Sequence, residues 1–176
     1  KWSCMNHEIA YLHCDEHLQR SLKNEIDEVL SVVDGIEWQP VFKSVRLGKP
    51  IEHQKAYNKR FEDEFKKLDL KIRPRLKDKP RLIGDFGKNR VFGEIQFGTT
   101  PTLYRDFYKF QYGHQHDLLD LGVLITPVNP KEFFPIRKSK TSVSHMAEYN
   151  LALRYFTILP ISVPTMVIGL KADSPD

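Results

Sequence analysis

"GDFGKNRVFGEIQFG", residues 84–98, decides the fold, because it reads as a β-hairpin that carries polar side chains between runs of core residues. A strand has a period of two. Val91, Gly93, Ile95 and Phe97 therefore fall on one face of the second strand, and Phe92, Glu94 and Gln96 on the other. Gly87 to Asn89 can make the turn, which returns Asp85 toward Glu94. Two carboxylates so converged repel each other, and partial burial sharpens the repulsion. A positive group is expected between them, and oxygen-only ligands favour a hard cation such as Mg²⁺. Such a cation polarises a phosphate and makes a bound water more acidic. The plainer alternative is an ordinary hairpin whose Asp, Glu and Gln face solvent.

Working outward, strands are expected at about 81–86, 90–97, 121–126 and 165–170. A helix should open at "TTPTLYRDFYKFQYG", with Pro101 early, Leu103, Phe107 and Phe110 on one stripe, and Gly113 as its stop. Another should run from about Ser142 to Phe156. Upstream, Asp15 can cap a helix whose stripe is Leu18, Leu22, Ile26, Val29, Leu30 and Val33, ended by Asp34-Gly35. A second helix is expected from Pro50, with Tyr57, Phe61, Phe65 and Leu68 on its stripe. Helices between strands, plus one hairpin, imply an α/β fold with a mixed sheet flanked by helices.

Between these parts lies "KKLDLKIRPRLKDKPR", residues 66–81, with eight Lys/Arg against two acids. Its prolines oppose a regular helix, so it is expected to be a loop or edge segment. A charged loop can simply be solvated, but a basic segment just ahead of an acid cluster is also where a polyanion's backbone would lie. Lys88 would add to that positive field and is a candidate DNA-binding residue.

The 176 residues allow one domain, and the net charge of +4 is modest. No apolar run is long enough for a membrane span, and the opening residues do not read as a signal peptide. A first residue other than Met points to N-terminal trimming. Two cysteines make no disulfide framework, which indicates a reducing, cytoplasmic compartment. Cys4, His7, His13, Cys14 and His17 have donors that could take zinc, but they contain no CxxC pair and lead straight into a helix.

The stretch "DFGKNRVFGEIQFGTTP" closely resembles the active-site hairpin of the BglII/BstYI-like type II restriction endonucleases, a branch of the PD-(D/E)XK nuclease superfamily. In that branch glutamine replaces the last lysine of the superfamily motif, as Gln96 does here. "DLGVLITPV" resembles the next core strand, "KSKTSVSHMAEYNLAL" the serine-containing recognition loop and following helix, and "VPTMVIGL" the closing strand. "NKRFEDEF", residues 58–65, is similar to the family's Asn-containing helix.

The resemblance implies a restriction-endonuclease-like catalytic domain over residues 1–176, with a helical N-terminal part and basic segment at 1–80 and a catalytic α/β core at 81–176. Asp85, Glu94, Gln96 and Asn58 would be catalytic. Asp85, Glu94 and the Ile95 carbonyl would hold one or two Mg²⁺ ions. Glutamine cannot act as a base or carry charge, so Gln96 would orient water or phosphate. Thr99 and Thr100 would approach DNA, as would the loop residues Lys138, Ser139, Lys140, Thr141, Ser142 and Ser144. Cations and hydroxyls suit base edges, although phosphate contacts or helix capping are alternatives.

The implied activity is Mg²⁺-dependent hydrolysis of double-stranded DNA at a short palindrome, with a GATC core expected, leaving 5′-phosphate ends. A twofold site implies a homodimer. A cognate DNA methyltransferase is implied in the same cell. Open alternatives are a structure-directed repair or recombination nuclease and a non-catalytic DNA-binding module.

Overall fold

A computed structural model describes residues 5–135 and 145–173. Cys4 and the loop candidates Lys138, Ser139, Lys140, Thr141, Ser142 and Ser144 lie outside the described residues.

The first described element is a strand, β1 (His7–Leu12), in a stretch expected only to lead into a helix. Asp15 then caps a helix as its sequence implies, its Oδ1 accepting from the Leu18 N–H at 2.8 Å. The expected single helix is divided at Leu22 into α1 (Glu16–Ser21) and α2 (Lys23–Asp34). Next comes a small antiparallel hairpin of β2 (Lys43–Arg46) and β3 (Lys49–Glu52). Pro50 lies in it opposite Val45, so it does not open a helix as expected; a two-stranded edge can do without its missing N–H. The helix itself is α3 (His53–Lys67).

The basic segment is not a plain loop. It contributes short strands β4 (Lys71–Ile72) and β5 (Arg75–Lys77), the latter paired with β6 (Leu82–Ile83). The hairpin follows as β7 (Phe86–Lys88) and β8 (Val91–Ile95). Gly87 and Lys88 pair with Phe92 and Val91, so the turn falls at Asn89-Arg90, with Asn89 at positive φ, later than the expected Gly87 to Asn89. The strand expected at 81–86 is divided between β6 and β7. Then come α4 (Pro101–Gln115), β9 (Leu121–Pro127), α5 (Pro130–Phe133), α6 (Tyr149–Ile158) and β10 (Thr165–Leu170).

Gly113 does not stop α4. A Cβ there would sit 2.5 Å from Leu119 Cδ2, so the glycine serves close packing and the helix continues past it. Helix α6 also starts later than its stripe suggests. The backbone just before it is already engaged, because the Ala147 N–H donates to the Gly98 carbonyl and the His145 carbonyl accepts from the Thr100 N–H.

Six strands form one mixed sheet in the order β1-β10-β9-β8-β7-β4. β8, β9 and β10 run parallel; β1, β7 and β4 join antiparallel. Every residue of β8, β9 and β10 is buried, which is why β9 and β10 read as continuous apolar runs with little alternation. On one side, Val91, Ile95, Phe97, Val123 and Ile125 pack with Ile26, Val29 and Val33 of α2 and Tyr57, Phe61 and Phe65 of α3. On the other, Phe92, Leu124 and Val167 meet Leu103, Phe107 and Phe110 of α4 and Ala152 and Phe156 of α6. The result is a mixed sheet between two helical layers. Glu94 shares its strand face with Phe92, so it points toward α4. Among the described residues, no helix is long and apolar enough to cross a membrane.

Candidate active site

Asp85 is fixed by both of its neighbours. Its N–H donates to the Gly93 carbonyl at 3.0 Å, and its own carbonyl accepts from the Arg73 N–H at 3.0 Å. Its Oδ2 accepts from the Ile95 N–H at 2.7 Å. The basic segment therefore runs directly beside the strand that carries the first acid. Asp85 and Glu94 line one cavity of about 350 Å³, together with Ile95, Gln96, Lys109, Arg73, Arg81 and Arg105. Among the described residues, none of those three arginines pairs with a carboxylate, unlike Arg46, Arg60, Arg75 and Arg90. The cavity is acidic at its floor and cationic at its rim.

The floor continues into α4. Gln96 Nε2 donates to Asp106 Oδ2 at 2.5 Å, and Gln96 Oε1 accepts from the Gly98 N–H at 2.8 Å. Among the described residues nothing else engages Gln96, which leaves one amide N–H and one lone pair for water or phosphate, so its expected orienting role rests on those alone. Lys109 Nζ bonds Glu94 Oε1 and lies 3.7 Å from Asp106 Oδ1. Glu94 and Lys109 are each 5% exposed and Asp106 is 0% exposed. Burial, followed by repulsion from Asp85 and Asp106, pushes the Glu94 carboxyl well above its ordinary range. Burial likewise pushes Asp106 up to about 6. Sequence reasoning missed Asp106 and Lys109. Asp106 falls within the buried stripe of α4, beside Leu103, Phe107 and Phe110, and a charge in that stripe was the available signal.

A second cavity of about 260 Å³ also has Asp85 in its lining, with Asn58, Glu62, Arg46, Arg73 and Ile95. Asn58 of α3 thus lines a cavity that Asp85 also lines. Thr99 pairs with Met146, and Thr100 bonds the backbone at His145 and Met146, so the end of the active-site strand is tied to the segment just after residues 136–144. Lys88 lines neither of these cavities. Its ammonium is held by Glu28 at 2.8 and 3.0 Å and by the Leu68 carbonyl at 3.0 Å.

The donors suit a hard cation. Among the described residues, Asp85 Oδ1 and Glu94 Oε2 have no hydrogen-bond partner in the protein, and Ile95, whose N–H bonds Asp85, follows Glu94 in the chain and lines the same cavity. Among the described residues, no group of three or more His, Cys, Asp or Glu could hold a metal ion, and Cys4 of the N-terminal set lies outside them. Burial also raises the Cys14 thiol, which disfavours its thiolate.

The family model for restriction endonuclease BglII/BglIII matches residues 7–170. The chain belongs to that family. It is a type II site-specific endonuclease, a hydrolase of DNA. The BglII fold also superposes on it. BglII complexed with a DNA 16-mer matches with a TM-score of 0.67 and 17% identity, over 98% of this chain and 79% of that one. Free BglII matches with a TM-score of 0.61 and 22% identity, over 98% of this chain and 82% of that one. At these identities the two likenesses show the fold alone. No curated protein matches the chain.

Proposed function

We propose that residues 1–176 form one catalytic domain of a Mg²⁺-dependent restriction endonuclease that cuts double-stranded DNA at a short palindrome with a GATC core, leaving 5′-phosphate and 3′-hydroxyl ends. The observation that carries this reading is the shared cavity, in which Asp85 and Glu94 meet beneath Arg73, Arg81 and Arg105. Arginine forks suit phosphate oxygens, so the rim would seat the backbone of the cut strand over the acids. Asp85, Glu94 and the Ile95 carbonyl would hold one or two Mg²⁺ ions. A bound divalent cation would supply Lewis acidity and a more acidic water. Gln96, through its remaining N–H and lone pair, would orient water or phosphate, and Asn58 would steady Asp85 from α3. Thr99 and Thr100, together with Lys138, Ser139, Lys140, Thr141, Ser142 and Ser144, would read and hold the DNA.

Symmetric cutting calls for a homodimer. The apolar stripe of α2 is packed into the core, so support for an interface comes from α4 and α6. Tyr104 and Tyr108 are exposed on α4, Tyr104 stacks on Tyr155, and Ile158 is exposed beyond it. The enzyme would work in the cytoplasm beside a methyltransferase that protects the host's own sites.

A digest of unmethylated DNA tests the reading, run with and without Mg²⁺ beside Asp85→Ala. Discrete fragments that need Mg²⁺ and vanish in the variant are expected, and end mapping then gives the site. A Mg²⁺-dependent smear would indicate a structure-directed nuclease, and binding without any cutting a non-catalytic module.

A further inference from the structure

Burying an ammonium is costly unless close partners compensate it, and Lys109 is buried with its side chain only 7% exposed. A lysine needed only for packing on α4 would be replaced at less cost by an apolar residue. Here the ammonium is led to one place. Gln96 holds Asp106 Oδ2, which leaves Oδ1 facing Lys109, and Lys109 reaches past it to Glu94 Oε1 on the cavity floor. One ammonium thus serves two buried carboxylates, with Asp85 on the wall of the same cavity, and the cluster stays net negative. The Lys109–Glu94 bond engages one oxygen of Glu94; among the described residues the other has no protein partner.

We infer that Lys109 is a positioning residue of the active site, whose ammonium fixes Glu94 through Oε1 so that Oε2 is presented to the divalent cation. The chain Gln96–Asp106–Lys109–Glu94 is then a brace from the helix to the metal-binding carboxylate. It gives Gln96 a structural part in the site that its position in the hairpin does not disclose. This inference rests on the metal-dependent reading above.

The test compares the wild type with Lys109→Met, which removes the charge at similar volume, and Lys109→Arg, which keeps it. Mn²⁺ binding without DNA is measured by calorimetry, kcat and KM with Mg²⁺ on a cognate duplex, and folding by thermal melting. Lys109→Met is expected to weaken Mn²⁺ binding about 10-fold and to lower kcat roughly 100-fold with KM little changed. Lys109→Arg should recover most of both losses. If Lys109→Met does not fold, Lys109→Gln, which removes the ammonium and keeps a shorter, neutral polar side chain, takes its place with the same expected direction. Mn²⁺ affinity and kcat within about 3-fold of wild type in the folded variant would overturn the inference. So would losses that track melting temperature alone and are not restored by arginine. A wild-type protein that neither binds Mn²⁺ nor cuts would overturn the metal-dependent reading itself, and this inference with it.

Discussion

Gln96 donates from its side-chain amide to Asp106, across 2.5 Å, joining the end of the active-site strand to a fully buried carboxylate on α4. Among the described residues, the second oxygen of Asp106 has no hydrogen-bond partner, so Gln96 is the main neutral support of that acid. Replacing Gln96 by Leu removes this donor and also the acceptor of the Gly98 N–H. A loss of about 2–3 kcal/mol of stability is expected in urea unfolding, together with reduced cleavage. A variant as stable as wild type would show that the amide does not support the floor.

Asp106 should leave a mark on the pH dependence of stability. Its carboxyl is raised from 3.8 to about 6, chiefly by burial. Between those values the folded protein keeps a proton that the unfolded chain has released. Its contribution is therefore full below about pH 4 and is lost as pH rises through about 6. The stability of wild type relative to Asp106→Asn should fall across that window by something on the order of 2–3 kcal/mol and then level off. A difference that stays flat with pH would show that Asp106 is not raised.

The arginine rim predicts a salt signature. Arg73→Gln, Arg81→Gln and Arg105→Gln should each weaken binding of a DNA duplex measured without divalent ions. Each should also reduce the slope of log affinity against log salt by about one unit. An unchanged slope in all three would remove the rim from the DNA interface.

Lys88 makes the opposite case. With Glu28 and the Leu68 carbonyl as its partners, it braces the hairpin against α2 and the end of α3. Asn89 adds a bond to Glu25. Lys88→Met should cost roughly 1 kcal/mol of stability while leaving DNA affinity and its salt slope unchanged. A lowered slope would return Lys88 to the DNA surface.

Much of this was legible in the chain. The period-two pattern around Glu94 separates Val91, Ile95 and Phe97 from Phe92 as the two cores do. The stripes on α2, α3 and α4 pack where their spacing places them. The misreadings came where a local signal met a distant partner. Pro50 looks like a helix start until Val45 pairs with it, and Gly113 looks like a stop until Leu119 fills the space above it. β1 is short and partly polar, and only β10, more than 150 residues away, makes it a strand.

The sequence by itself determined the hairpin, the two acids that face one another across it, and the glutamine beside them. These depend on neighbours a few residues apart, through strand period and turn chemistry. What only the tertiary structure decided is the company those residues keep. Lys109 and Asp106 reach Glu94 and Gln96 because α4 packs on one particular face of the sheet, and the Lys88 ammonium is taken up by Glu28 because α2 brings that carboxylate within reach. A charge interacts with whatever lies within a few ångströms of it, and that distance is set by packing, not by separation along the chain.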